Sequence, residues 1–166
     1  MRTAECSGPG DGEAGGEFHM TRAGVSLITG ALGAMLVMWS VSVPADDQDN
    51  IDYRQHVMKA MGEEAGSIDM ILQHKAPPDS LATHARILAI AAAMAKKAFE
   101  PKAEGGNSKP GVWSNWTDFS KRLDALTSAT DELAKTAATG GIAVAGPKVE
   151  GLGCKACHDQ YMAPKN

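Results

Sequence analysis

GLGCKACHDQYMAPKN, residues 151–166, carries two cysteines, a histidine directly after the second, and a tyrosine three positions further on. Cys154, Cys157, His158 and Tyr161 recur at i, i+3, i+4 and i+7, so on a helix all four side chains project from one face. What two thiols and an imidazole can do there depends on what the rest of the chain builds around them.

Upstream of this stretch the apolar pattern is helical. From Asn50 to about His74, Val57/Met58, Met61, Ala65, Ile68 and Leu72 alternate three and four apart, the spacing of one helix face. KAPPDS ends that run, because Pro77 and Pro78 cannot continue the hydrogen-bond ladder. A second helix is predicted from about Asp79 to Phe99, with Leu81, Ala85, Leu88, Ala92, Ala95 and Phe99 inward; its many alanines imply a close neighbour. EPKAEGGNSKPG, with two prolines and three glycines, is a loop. A third helix runs from Trp113 to about Ala138, with Trp116, Phe119, Leu123, Leu126, Leu133 and Ala137 on one side, and Gly140 and Gly141 stop it. The last begins near Pro147 and reaches about Met162. No segment alternates with the period of a strand. The pattern predicts an all-α fold, an antiparallel four-helix bundle. Met61, Met70 and Met94 read as gap-fillers of its core; Lys96-Lys97 and Lys121-Arg122 read as solvated faces, and His56, His74 and His84 as solvated residues.

Ahead of the bundle, Arg22 precedes a long uncharged run that ends in Val43-Pro44-Ala45 and then acid. A positive start, an apolar middle and small residues at a cleavage point make a secretory signal peptide over 20–45, cut after Ala45. The competing reading is an uncleaved anchor, since Ala23 to Val43 is long enough to span a bilayer. Residues 1–19, rich in glycine and acid, read as an upstream extension with translation starting at Met20. The domain is then 46–166, a normal length for a single core. With 16 Lys+Arg against 20 Asp+Glu, net −4, and no basic patch, nothing argues for nucleic acid. After cleavage nothing argues for a membrane either. Of three cysteines Cys6 lies in the extension, which leaves Cys154 and Cys157 alone in an oxidising compartment.

Four readings of those two thiols compete. A thiol–disulfide redox pair usually opens a helix after a strand, and this chain has no strand pattern. Structural zinc wants four ligands, and Cys154, Cys157 and His158 supply at most three. A disulfide across one helical turn would be strained and leaves His158 idle. Haem attachment uses all three residues: each thiol adds to one porphyrin vinyl group, and the next residue's imidazole reaches the iron from the same side. The expected cofactor is one haem c, covalently attached through Cys154 and Cys157. No acid/base constellation marks a substrate pocket, so the chain does not read as an enzyme.

CKACHDQY, YRQHVMKAMG at the start of the first helix and FEPKAEGGNSKPGVWSNWTDF across the middle loop together resemble the class II cytochromes c, the cytochrome c′ family and its low-spin relatives. The resemblance spans residues 50–162 and implies a four-helix bundle with the haem between helices near one end, often as a homodimer, in the bacterial periplasm. It implies Cys154 and Cys157 as thioether anchors and His158 as proximal ligand, with Arg54, Gln55 and Asn107 at positions that contact the haem or its propionates. Met58 falls where the family faces the iron. There two readings stand open. As a sixth ligand, its thioether would favour ferrous iron and a carrier of single electrons between redox proteins; the alternative is a five-coordinate haem that binds nitric oxide or carbon monoxide, with Met58 an ordinary core residue. Met162 departs from the family, which commonly has a basic residue there beside the proximal histidine.

Overall fold

A computed structural model describes residues 45–164. Apart from Ala45, the segments read as an extension and a signal peptide lie outside the described residues.

Helix α1, Asp47–Leu72, starts three residues before the apolar pattern does, because Asp46 caps it: its carboxylate accepts the Asp49 N–H at 2.8 Å, and the Asp49 carboxylate accepts the Asp46 N–H. This is a capping box with aspartate in the third position, and Asp47 and Asp49 also suit the positive end of the helix dipole. Ile51, Val57, Met61, Ile68 and Ile71 are buried along one face, with Met58 and Leu72 half-buried against them. Pro77 leads into a single 3-10 turn, Pro78–Ser80, and α2 follows as Leu81–Phe99. All six residues predicted to face inward on α2 are buried, and Ala89, Ala91 and Ala98 join them. Small side chains let α2 lie close to α1 on one side and α4 on the other.

The second half departs from expectation in two places. The third helix is divided at its start into a short turn α3, Gly111–Ser114, and α4, Trp116–Glu150, because Asn115 leaves helical geometry between them. Gly141 stops the third helix as expected: with φ 60 and ψ −156 it forms a kink between two helices, and the span α4 holds both. Only glycine adopts that conformation without steric cost. The predicted last helix is likewise split: its first part belongs to α4, residues 151–153 interrupt it, and α5 is the eight-residue Cys154–Tyr161.

Met61 is buried as expected, but Met70 and Met94 are 49% and 42% exposed and fill no gap. Met70 lies two residues past Ile68, about 200° around the helix; Met94 belongs with Ile87 and Ile90 to an exposed apolar stripe on α2. His56 and His74 are exposed, whereas His84 is half-buried and its Nδ1 lies 2.7 Å from Glu64 Oε2. Lys96 pairs with Asp124 of α4 at 2.8 Å, so that part of the predicted solvated face joins two helices.

The α2–α3 loop reaches two elements at once. Arg54 of α1 donates to the carbonyls of Ala103 and Gly105, both at 2.7 Å. At its other end the Lys109 N–H donates to the Tyr161 carbonyl and the Ala163 N–H to the Asn107 carbonyl, each at 2.9 Å. No Cα atom of α1 comes within 8 Å of one in α5. The loop therefore ties α1 to the C-terminal end of α5.

Candidate haem-attachment site

Helix α5 has the single face that its spacing predicts. Cys154, Cys157 and His158 are half-buried and Tyr161 is buried, while Lys155, Ala156, Asp159 and Gln160 are exposed. Tyr161 anchors the face: its ring meets Phe119 edge-on at 5.0 Å, and Phe119 in turn packs on Phe99 at 5.1 Å and Trp116 at 5.8 Å. The Tyr161 hydroxyl donates to Asp118 Oδ2 at 2.6 Å and accepts from Asn115 Nδ2 at 3.3 Å. Arg122 Nε donates to the same Asp118 oxygen at 2.6 Å, with its guanidinium 5.9 Å from the Tyr161 ring centre.

The sequence pattern places Arg122 on a solvated face, whereas in the structure it joins Asp118 and Tyr161 in one cluster. The i, i+4 spacing of Asp118 and Arg122 was legible as a helix ion pair; their convergence on Tyr161, 43 residues away, was not. The hydrogen bond from Tyr161, and after it that from Arg122, holds the Asp118 carboxyl below the usual range. A depressed folded-state value contributes stability that is present above the unfolded value of about 3.9 and lost as pH falls through the folded one. The melting temperature of the wild type is accordingly expected to fall more steeply below pH 4 than that of Asp118→Asn, and parallel melting curves from pH 5 to pH 2 would refute the assignment.

The two thiols are not joined in a disulfide. They border a cavity of about 230 Å³ whose far wall is α4, through Arg122, Leu123, Leu126 and Ala129. Burial raises the Cys157 thiol's pKa, with Arg122 acting in the opposite sense, and burial lowers that of His158, which favours the uncharged imidazole. A neutral imidazole is the form that binds metal.

Met58 is half-buried against the core on α1. Arg54, Gln55 and Asn107 are brought together at the α2–α3 loop. Arg54 is 1% exposed, flanked by Trp113 at 5.1 Å and Phe99 at 5.8 Å, with Nε lacking any hydrogen-bond partner. Gln55 is exposed and covers Gly106, where a Cβ would lie 2.5 Å from Gln55 Nε2. The positive φ of 56 at Gly106 adds a second reason for glycine. Asn107 is exposed and uses its backbone carbonyl. Trp113 donates its indole N–H to the Phe99 carbonyl at 3.0 Å, an ordinary structural bond.

The donor set on one face of α5, with both thiols bordering a cavity, fits a covalently held haem. A helical bundle whose last helix shows CxxCH on one face defines a c-type haem protein. Residues 49–162 match the family model described as Cytochrome C′, and the chain belongs to that family. Its haem c is attached through Cys154 and Cys157. The chain is similar to cytochrome c′ of Rubrivivax gelatinosus, 32% identical over 121 residues that cover 68% of this chain and 93% of that protein. It is also similar to cytochrome c-556 of Agrobacterium tumefaciens (strain II Chrys), 29% identical over 119 residues, 69% and 98% of the two chains. Among solved structures, a ferrous variant of cytochrome c prime from Alcaligenes xylosoxidans with bound NO superimposes with a TM-score of 0.68 at 27% identity, covering 74% of this chain and all of that one.

Proposed function

We propose that this protein is a periplasmic haem protein that holds iron through His158 and leaves the opposite axial position to a small diatomic gas, nitric oxide or carbon monoxide. The observation that carries the reading is the α5 face, where His158 directly follows Cys157 and lies half-buried beside both thiols on one side of the helix. The likeness to a solved relative with bound NO supports the ligand class. When bound, the haem iron supplies gas binding and one-electron chemistry. The chain's own residues would hold it: Cys154 and Cys157 would bond it to α5, Tyr161 holds α5 on α4, and Arg54, Gln55 and Asn107 would supply a polar border for its carboxylates. Met58 of α1 would be the side chain that crowds the gas. Among the described residues no helix is long and apolar enough to cross a membrane.

A second reading, a low-spin carrier passing single electrons to redox proteins with Met58 as sixth ligand, draws on Met58's half-buried place and the similarity to a cytochrome c-556. Optical spectra of the ferric and ferrous protein, with and without carbon monoxide, separate the two. The expected result is a high-spin spectrum that shifts with carbon monoxide and keeps its spin state in Met58→Ala. A low-spin spectrum, inert to carbon monoxide and with a sulfur-to-iron band lost in Met58→Ala, would replace gas binding by electron transfer. The exposed stripe Ile87, Ile90 and Met94 on α2 fits the homodimer that the family resemblance implies.

A further inference from the structure

Met162, four residues after His158, is not the basic residue that the family resemblance implies there, but a cation does stand at the cavity that the two thiols border. Arg122 of α4 borders it together with Cys154 and Cys157, and Arg122 and Cys157 feel each other electrostatically. The guanidinium is not a free surface group. Its Nε is fixed by Asp118 at 2.6 Å, its face lies on Tyr161, and the same aspartate oxygen is held by the Tyr161 hydroxyl. Tyr161 belongs to the helix that carries the thiols, so the tether locks the cation's position to that of the attachment site. Lys121 and Asp124, its charged neighbours on α4, are exposed.

We propose that Arg122, tethered by Asp118 and Tyr161, is a positioning cation that raises the reduction potential of the haem from the thioether side of the cavity. The inference rests on the covalent-haem reading above. Reduction adds one electron to the iron, so a fixed positive charge nearby favours the ferrous form, and haem potentials respond to such local charge. Asp118 contributes the opposite sign. Removing the cation and removing its anionic partner must therefore move the potential in opposite directions, which loss of packing alone would not do.

The test is a spectroelectrochemical titration of the holoprotein as wild type, Arg122→Gln, Arg122→Lys and Asp118→Asn, at low and high salt. The amide of Asp118→Asn still accepts from Arg122 while removing the charge. Arg122→Gln is expected to lower the ferrous-to-ferric ratio at fixed potential about threefold, roughly 28 mV for one electron. Asp118→Asn is expected to raise the potential, and Arg122→Lys to stay near wild type. Both shifts should shrink in 1 M salt, because Arg122 is part-exposed and the screening length there is only about 3 Å. Unmoved potentials, or shifts of the same sign in Arg122→Gln and Asp118→Asn, with haem still attached, would overturn the role of Arg122. A wild type that carries no covalent haem would overturn the haem reading itself and this inference with it.

Discussion

Replacing both Cys154 and Cys157 by alanine is expected to abolish covalent haem while leaving a folded helical chain. The two thiols are the only groups on the α5 face that can form thioethers, and each is half-buried, so neither is a main element of the core. What seats α5 is Tyr161, through the ring cluster of Phe99, Trp116 and Phe119 and the bond to Asp118, together with the backbone bonds from Lys109 and Ala163. None of these involves sulfur. Haem staining after denaturing electrophoresis, or intact mass, reads the attachment; far-ultraviolet circular dichroism reads the fold. Each single substitution should keep one thioether and stain. A double variant that still carries haem through denaturation would mean that attachment does not run through these residues. His158→Ala provides the contrast: both thioethers remain, so staining persists while the axial ligand is lost.

Arg54→Ala should destabilise the bundle by about 3 kcal/mol, the scale expected when charged hydrogen bonds and their buried surroundings are removed together. Two carbonyls, those of Ala103 and Gly105, lose charged donors at 2.7 Å, and Trp113 and Phe99 lose the cation between them. Burial disfavours the charge and shifts its pKa downward, which makes these partners the compensation for keeping a guanidinium inside. Urea unfolding of the holoprotein should show a lower midpoint with an unchanged slope. Arg54→Lys should recover less than half of the loss, since an ammonium cannot fork to two carbonyls while lying flat on an aromatic ring. A loss below about 1 kcal/mol would show that the loop orders itself without Arg54.

The legible parts of this chain were those set by local chemistry. The inward face of α2 could be read residue by residue, because alanine and leucine at helical spacing leave one register. The α5 face was equally plain, since four chemically distinctive residues fall within two turns. The start of α1 was hidden because Asp46 and Asp49 sit in an acidic run, where a capping box with aspartate looks like mere charge. Residues 151–153 concealed the break before α5, since an apolar Leu152 between glycines keeps the helical count going while the backbone does not. Arg54 and Arg122 were the least readable. An arginine's long stem reaches equally to solvent, to a carbonyl 51 residues away or to a shared aspartate, and only tertiary neighbours decide which.

The covalent bond between the haem and Cys154 and Cys157 has an energetic meaning. A haem held only by non-covalent contacts would be lost to solvent each time the chain unfolds. Bonded to two side chains of α5, it would stay with the chain when the chain unfolds. It thus behaves as one oversized apolar side chain of α5, returned to the interior at each refolding and hidden from solvent at no cost in molecularity. Refolding and haem recovery are then one unimolecular event, independent of the concentration of free haem.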